Sequence, residues 1–496
     1  MTNKSIYNTI CENITDAGWL PQGFLLLDKS IQHEKTAFVP GARDGLSLIR
    51  KEPHLDRISA KIVQYMKSES YIHIAGLLRT YRTLQVIDPV IKWIQNDHEA
   101  FDAQRIIDYA YDLVFDSQEL ELVKFGIALL GMFDFSGEPQ IIKAVIALGL
   151  YEEFTLFSIV ALRNWENGNA HQFLIAQRVK GWGKIHAVEL LDADTDEIRD
   201  WLLRFGCKND VMNAYLGLTC AVKGNMIDAL RRDNMDEELF EGISVIMDAL
   251  LSDGPVAGMK DYAHAQEALQ LYLQSATKHA VTLQQLWHVL NIKDWLAKTE
   301  NEYNEELLIL CACIADRPRW RDMIKKAVVE GDEEMLYYAV DAARRLQMDI
   351  TSLLFKTVIK KPVEYSAFLS PLFVRADFAK KLAAAYEKIL PLNQMATGMG
   401  EALFAVEYQQ EHQCLMRVLA ELGPYPNLGE QLLQTALQSP VIHLRNCALS
   451  VLEKWSEDLW VSVFHISPAV GGVLKRVSLD EVDTDTRMRM VMLLNK

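Results

Sequence analysis

Apolar residues recur along most of the chain at the spacing of one face of an α-helix. Ile198, Trp201, Leu202 and Phe205 fall at i, i+3, i+4 and i+7, a pattern typical of a helix with one buried side. The same spacing recurs in residues 120–130, 335–346 and 441–455. Strand signals, meaning alternating runs rich in Val, Ile and Thr, are nearly absent beyond residue 50. The pattern predicts an all-α protein.

Residues that favour helix ends flank these stripes. Asp194 and Glu197 have the spacing of a capping box, in which each side chain accepts a hydrogen bond from a free backbone N–H. Gly206 lies where a helix often ends in a left-handed residue. Ser439 and Pro440 favour the start of a later helix. These signals predict one helix that begins after Asp194 and another that begins near residue 440.

Three segments share a basic residue, a small or apolar residue three positions on, and an aliphatic residue at six. They are Lys124, Ile127 and Leu130; Lys184, Ala187 and Leu190; and Arg445, Ala448 and Val451. This pattern resembles the second helix of a HEAT repeat. The resemblance implies an irregular HEAT-like α-α superhelix, or α-solenoid, although the spacing between the three matches follows no single period.

Glycine, proline and composition suggest three parts of the chain. Residues 1–50 read as a short, loop-rich N-terminal segment that caps the first repeat. Residues 51–253 form a first helical repeat array and residues 254–496 a second array, continuous with the first. The boundary lies in the stretch LSDGPVAGMKDY, residues 251–262, whose Gly and Pro would break a helix.

Composition and charge narrow the classes of function. The 496 residues are 50% hydrophobic and 24% charged, which predicts an ordered protein with a sizeable core. The 51 Lys and Arg against 67 Asp and Glu give a net charge of -16, which disfavours nucleic acid and anionic membranes as partners. Apolar runs fall short of the ~20 residues that cross a bilayer, and the N-terminus lacks a signal-peptide run. We therefore expect a cytoplasmic protein.

Motifs for cofactors, metals or catalysis are missing from the sequence. The seven cysteines are scattered and include no CxxC pair, which favours reduced thiols. The sequence contains no Walker A motif, no HExxH and no GxSxG. We therefore expect no cofactor, no metal site and no catalytic residues. An active site assembled from distant residues leaves no such motif, so an enzyme stays an alternative.

The stretch KGWGKIHAVELLDADTDEIRDWLLRFG, residues 180–206, is the most suggestive of chemistry. Its glycines are typical of a phosphate loop, but neither a strand before them nor a Ser or Thr after Lys184 completes the motif. Its alternating Asp residues lack the Gly and final Glu of a calcium loop, and His186 has no second ligand pair. We interpret the stretch as a turn between two helices with Trp182 as a packing anchor. Trp182, Lys184 and His186 are candidate interaction residues.

Residues 178–216, which include VKGWGKIHAVELL and EIRDWLLRFGCKNDVMNAYL, resemble a family of uncharacterised bacterial HEAT-like proteins. Some members carry the label limonene hydroxylase, which implies a monooxygenase. This sequence has no haem-thiolate loop, no GxGxxG after a strand and no facial triad for iron. The resemblance therefore implies the helical-repeat fold, while the residues that the label requires are missing.

Two further stretches carry candidate interaction residues. HEKTAFVPGARDGLSLIR, residues 33–50, is the least helical stretch, and its Pro and Gly predict turns. Arg43 and Asp44 would then belong to a binding or self-docking element, unless the segment only seals the first repeat. DRPRWRDMIKK, residues 316–326, is the densest basic cluster, with Arg317, Arg319 and Arg321 around a tryptophan. It suits an acidic peptide or a phosphate backbone, or else a solvated helix start whose tryptophan packs inward.

Three classes of function stay open. A non-catalytic scaffold for a protein or peptide partner requires only an extended helical surface. An immunity or inhibitor-type partner of a basic protein would use the acidic surface for electrostatic steering. An enzyme would follow the HEAT-like DNA glycosylases or the hydroxylase label. The sequence favours the scaffold, and it leaves the oligomeric state undetermined.

Overall fold

The computed structural model describes residues 4–26, 38–232, 235–252, 254, 256–299, 304–402 and 407–495. Within these ranges the regular elements are all helices, and the one β-type contact is an isolated bridge between Ala402 and Val441. The predicted all-α class is therefore confirmed for the described part of the chain. None of the helices in these ranges combines the length and the apolar character that crossing a bilayer requires.

The chain divides into two compact units. The first comprises residues 1–280 and 291–311, and the second comprises residues 281–290 and 312–496. Among the described residues, these α-helices lie wholly in the first unit: α1 (Ile6–Asn13), α2 (Ala42–Arg50), α3 (Asp56–Lys67), α4 (Ile72–Leu78), α5 (Thr83–Asn96), α6 (Ala103–Asp116), α7 (Leu120–Leu130), α8 (Pro139–Gly149), α9 (Glu152–Leu162), α10 (Gly168–Ala176), α11 (Gly181–Leu190), α12 (Asp196–Trp201), α13 (Ala214–Lys223), α14 (Met226–Leu230), α15 (Glu237–Leu250) and α16 (Ala265–His279).

The remaining helices complete the described chain. Two contribute residues to both units: α17 (Leu283–Lys298) and α18 (Asn304–Ala315). The second unit holds α19 (Arg319–Glu330), α20 (Glu333–Arg345), α21 (Thr351–Lys360), α22 (Ser370–Phe373), α23 (Ala376–Ile389), α24 (Leu392–Met395), α25 (Gln409–Leu422), α26 (Glu430–Leu437), α27 (Ile442–Leu459), α28 (Val463–Ile466), α29 (Pro468–Asp480) and α30 (Thr484–Leu494).

Helix pairs pack side by side in the first unit. The odd-numbered helices from α5 to α15 form a series in which each packs against the next. The even-numbered helices α6, α8 and α10 pack against α7, α9 and α11. This arrangement buries Phe125, Phe154 and Phe240 completely. A core shared between successive helix pairs is what their one-sided apolar stripes require.

The helix that the sequence places after Asp194 forms, but its ends differ from the prediction. Its N-cap is Thr195, whose hydroxyl accepts a hydrogen bond from the Ile198 N–H at 3.2 Å. The prediction that Asp194 caps this helix is therefore wrong by one residue. The helix continues as a π-turn, Leu202–Gly206, so Gly206 is not a left-handed cap. Gly206 instead allows a close approach to Cys220, whose sulfur would lie 3.0 Å from an added Cβ.

The N-terminal segment is less loop-rich than predicted, because it contains α1 and α2. The turn predicted at Asp44 and Gly45 is wrong, since both residues lie inside α2. Gly45 serves packing rather than a turn: an added Cβ would lie 2.1 Å from the ring of Trp182. Residues 33–37 of the same stretch lie outside the described residues.

The three basic residues of the HEAT-like pattern occupy related places, near the start of α7, α11 and α27. Lys124 and Arg445 are 2% and 0% exposed. Lys184 donates a hydrogen bond to the carbonyl oxygen of Phe205 at 2.8 Å. Each cation binds oxygen atoms outside its own helix, so each connects parts of the chain that lie apart in sequence.

Arg445 connects three segments of the second unit. Its guanidinium donates hydrogen bonds to both carboxylate oxygens of Glu481, at 2.7 and 2.6 Å. It also donates to the carbonyl oxygens of Ser439 at 2.8 Å and Gly400 at 3.1 Å. Both charged side chains are fully buried. Loss of either partner would leave a buried charge without compensation.

Replacement of Arg445 by Met is expected to lower the free energy of unfolding of the second unit by about 3–5 kcal/mol, because Glu481 would keep its buried charge. The matched control is Arg476→Met, an exposed arginine on α29 that pairs with none of the described residues; surface changes of this kind stay within about 0.5 kcal/mol. Hydrogen exchange of α27 and α29 measures both effects. An equal loss of unfolding free energy in the two variants would contradict a stabilising role for the buried pair of Arg445 and Glu481.

Candidate functional site

The candidate site lies where α2 packs against the starts of α9 and α11. Gly41, the N-cap of α2, donates its N–H to Glu153 Oε1 at 2.9 Å. Trp182, in the first turn of α11, is 4% exposed. Its ring packs against Gly45 and against the ring of Tyr215, and the centroids of the Trp182 and Tyr215 rings are 5.4 Å apart. The N-terminal segment therefore docks onto helices that follow it at long range in the sequence.

A buried ionic cluster lies under this contact. The Lys124 ammonium lies 2.7 Å from Asp44 Oδ2, 2.9 Å from Glu121 Oε1 and 2.7 Å from Glu153 Oε2. Burial lowers the pKa of Lys124, but the three carboxylates outweigh burial and raise the pKa well above its ordinary value. Lys124 is therefore charged at any physiological pH. We call these four residues the Lys124 cluster.

Arg82 extends the Lys124 cluster toward solvent. Its guanidinium lies 3.5 Å from Asp44 Oδ1 and donates hydrogen bonds to Ser47 Oγ at 2.6 Å and Glu52 Oε2 at 2.8 Å. All three acceptors belong to α2 or to the residues directly after it. The charges therefore hold α2 against α5 and α7.

The glycines that resembled a phosphate loop hold a carboxylate of the same chain. Gly181 has a φ of 54°, and an added Cβ would lie 2.1 Å from Glu152 Oε2. At Gly183 an added Cβ would lie 2.6 Å from Thr155 Oγ1. The Trp182 N–H donates a hydrogen bond to Glu152. Glu152 therefore occupies the N-terminus of α11, where a bound anion is favoured by the helix dipole.

Glu152 and His186 have opposite pKa shifts. Burial raises the pKa of Glu152 to about 7; the Trp182 N–H lowers it, Asp210 and Glu153 raise it, and Lys180 lowers it. Burial lowers the pKa of His186 to about 4, and its Nε2 has no hydrogen-bond partner among the described residues. His186 is therefore neutral near pH 7, whereas Glu152 changes charge there.

The predicted interaction residues of the first unit do not form one binding surface. Asp44, Trp182 and His186 are buried in or beside the contact between α2 and α11. Arg43, also on α2, stacks its guanidinium on Phe38, 4.9 Å from the ring centroid. Burial lowers the pKa of Lys184, whose ammonium binds the π-turn. These residues hold the fold together more than they face a partner.

The basic cluster belongs to the second unit, at the start of α19. Trp320 is fully buried and donates its indole N–H to the Ile314 carbonyl oxygen at 2.6 Å, so the prediction that it packs inward is confirmed. Arg319 stacks on the Trp320 ring at 4.4 Å, and burial together with Arg317 lowers its pKa. Arg321 is exposed.

A pocket of about 260 Å³ opens beside Glu152. Four separate parts of the chain line it: the loop at residues 19–24, Pro40, residues 150–152 at the start of α9, and residues 178–180 before α11. The side chains that define its chemistry are Trp19, Phe24, Tyr151, Glu152, Arg178 and Lys180. We call it the Glu152 pocket. Sequence patterns missed it because its lining residues come from separate parts of the chain and none of these parts carries a motif.

A second feature that the sequence patterns missed is the turn between α27 and α28. Four apolar residues are exposed there: Leu459, Trp460, Val461 and Phe464. The Trp460 side chain is 92% exposed, and its backbone is left-handed, with a φ of 55°. This conformation costs an L-residue about 1–2 kcal/mol. We call residues 459–464 the Trp460 turn.

Comparison with known proteins adds no family to this description: no protein-family model matches the sequence, and no curated protein is detectably similar to it. Among the described residues no group of three or more His, Cys, Asp or Glu is arranged to hold a metal ion. Within the Lys124 cluster, the position among the three carboxylates is taken by the lysine ammonium.

Two glycines inside helices provide a matched test of the α2 contact. Gly45→Ala is expected to destabilise the first unit by about 1–3 kcal/mol, because the new methyl group overlaps the Trp182 ring. Gly76→Ala, in α4 with open space around it, is expected to stabilise by up to about 1 kcal/mol through helix propensity. Thermal unfolding, with tryptic cleavage at Arg43 and Arg50, measures the contrast. The same sign in both variants would argue against the contact.

Glu152 predicts a stability that depends on pH. Between its ordinary pKa of 4.5 and its folded value of about 7, the unfolded chain has lost the proton that the folded chain retains. The contribution of Glu152 to stability therefore falls as pH rises through this window. Between pH 4.5 and pH 8, the free energy of unfolding of Glu152→Gln is expected to rise relative to that of the wild type by about 2–3 kcal/mol.

The control is Glu197→Gln, which removes an exposed carboxylate from the first turn of α12. Its difference from the wild type should stay nearly constant over the same pH range. Urea unfolding at pH 4.5, 6 and 8 gives the comparison. A constant difference for Glu152→Gln as well would refute the raised pKa.

Proposed function

We propose that the protein is a non-catalytic helical-repeat scaffold that binds a protein or peptide partner in the cytoplasm. We further propose that its helices form an irregular, HEAT-like α-solenoid. The series of packed helix pairs in the first unit supports this architecture. The cation near the start of α7, α11 and α27, which in each case binds oxygen atoms outside its own helix, supports it as well, because the same pattern suggested the HEAT resemblance.

The observation that carries the proposal is the Trp460 turn. A left-handed backbone favours Gly or Asn. Because the indole of Trp460 is exposed, it adds no hydrophobic stabilisation to the fold. Folding alone therefore does not account for a tryptophan at this position. Residues held in a costly conformation tend to lie at functional sites. Tryptophan is also among the side chains that contribute most to protein interfaces. A partner that covers Trp460 would supply the missing burial.

The outer face of α30 supports the same conclusion. Met488, Val491 and Met492 lie at i, i+3 and i+4 and are 51%, 45% and 61% exposed. Exposed apolar stripes of this kind mark interaction surfaces.

The charged groups of the first unit support a non-catalytic role. Lys124 is saturated by three carboxylates. Glu152 accepts a hydrogen bond from the start of α11, and His186 is buried and neutral. Groups engaged in this way stabilise the fold and are poorly placed to transfer protons to a substrate.

An immunity or inhibitor-type role is the second candidate. The net charge of -16 favours association with a basic protein, since complementary charge speeds encounter and excludes acidic competitors. The identity of the captured partner distinguishes the two roles: a basic, toxin-like protein supports the inhibitor, and other partners support the scaffold.

The test compares Trp460→Gly with the wild type after brief cross-linking in cells and purification from them. The variant is expected to be more stable by about 1 kcal/mol, because Gly tolerates the left-handed backbone. It is also expected to lose a stoichiometric partner by at least tenfold. A gain in stability with a loss of binding separates recognition from folding.

The matched control is Gln347→Gly. Gln347 is also left-handed at the end of a helix, with a φ of 53°, but it is polar and exposed. It should gain similar stability and retain the partner. Equal partner recovery from all three proteins, or no partner from any, would reject the proposal for the Trp460 turn.

A further inference from the structure

The Glu152 pocket has an apolar and largely aromatic wall. Phe24 packs edge-on against Tyr151, with 5.7 Å between the ring centroids and 84° between the planes. Tyr151 is 6% exposed, and its hydroxyl accepts a hydrogen bond from the Leu26 N–H at 3.3 Å. The two rings are therefore positioned by their contact with each other and by the hydrogen bond to the Tyr151 hydroxyl. Such a surface suits the apolar body of a small ligand.

The loop that carries Trp19 is fixed by its own hydrogen bonds. The Thr15 N–H and hydroxyl both donate to the Trp19 carbonyl oxygen, at 2.9 and 3.0 Å. The Trp19 N–H donates back to the Thr15 hydroxyl at 3.2 Å. The indole nevertheless stays 42% exposed. The loop thus presents Trp19 at the pocket without burying it.

The pocket is also lined by Arg178, a cation without a partner among the described residues. Arg178 is partly buried, and its guanidinium makes neither an ion pair nor a hydrogen bond with any described residue. Its guanidinium packs closely against Gly18, where an added Cβ would lie 3.2 Å from Arg178 Nε. A guanidinium presents a planar set of donors that matches a carboxylate. The pocket therefore combines an aromatic wall with an unused carboxylate-binding group.

From this combination we infer that the Glu152 pocket binds a monocarboxylate with an apolar, preferably aromatic, body. Arg178 pairs with the carboxylate, and Trp19, Phe24 and Tyr151 enclose the body. The volume of about 260 Å³ accommodates one ring and a short chain. The carboxylate belongs either to a free organic acid or to the C-terminal residue of a peptide. This binding site is independent of the Trp460 turn.

Glu152 gives the site a dependence on pH. The charged groups around it are Glu153 on α9, Asp210, and Arg178 and Lys180 before α11. When Glu152 is ionised it repels a bound carboxylate, and when it is protonated it does not. Because burial raises its pKa to about 7, the monocarboxylate should bind more tightly at pH 6 than at pH 8. A ligand with an ammonium group would show the reverse.

Isothermal titration of the full chain with 3-phenylpropionate, which is ionised at both pH values, tests the inference. The dissociation constant is expected to rise severalfold from pH 6 to pH 8. The neutral analogue 3-phenylpropionamide should bind at least tenfold more weakly at pH 6. Arg178→Gln should weaken binding of the acid at least tenfold with no change in melting temperature, because Arg178 has no partner among the described residues. Trp19→Ala should weaken binding while leaving the charges in place.

The control is Lys143→Gln, which removes one exposed charge from α8 and should not affect binding. Two tripeptides, Ala-Ala-Phe with a free or an amidated C-terminus, identify the source of the carboxylate. Tighter binding of the free tripeptide than of 3-phenylpropionate assigns the site to peptide C-termini, and the opposite order assigns it to free acids. Equal binding of acid and amide, no loss in folded Arg178→Gln, or no binding of any probe would overturn the inference.

Discussion

The assembly of the first unit depends on the buried ammonium of Lys124. Its carboxylate partners come from three helices, and two of them also bind the start of a further helix. Glu121 accepts a hydrogen bond from the Thr83 N–H of α5 at 2.6 Å, and Glu153 accepts one from the Gly41 N–H of α2 at 2.9 Å. The partial positive charge of these helix starts offsets the excess of carboxylates. An acidic cluster with a single lysine can therefore be buried at acceptable cost.

Glu152, which directly precedes Glu153 in α9, likewise binds the start of a helix. Its carboxylate lies at the start of α11, where Gly181 lets the backbone approach closely. Neighbouring carboxylates on one helix thus bind the starts of two other helices. The arrangement explains why residues 180–184 resemble a phosphate loop: both motifs bring free N–H groups to an anion, and here the anion is a side chain of the protein.

The sequence patterns predict the local features and miss those that depend on contacts at long range. The helices follow from a periodicity that each segment carries within itself. Lys124 and Arg445 stand out by spacing, but their partners Asp44 and Glu481 lie 80 and 36 residues away, and no local rule selects them. The sequence predicts a turn at Gly45 because it does not show that the ring of Trp182 packs against this residue in the fold. The Glu152 pocket has no sequence signal, since four separate parts of the chain form its wall.

Compensation is the rule in the described structure, and its exceptions indicate where function lies. The buried charges of Lys124 and Arg445 have opposite charges beside them, the starts of α2, α5 and α11 have carboxylate acceptors, and Gly45, Gly181 and Gly183 lie where another group comes close. Trp460, which is strained and exposed, and Arg178, whose guanidinium is unpaired among the described residues and lies beside an aromatic wall, lack such compensation. Local rules are expected to fail at functional sites. Because one feature lacks burial and the other lacks an anion, they call for different ligands, a protein surface for the first and a carboxylate for the second.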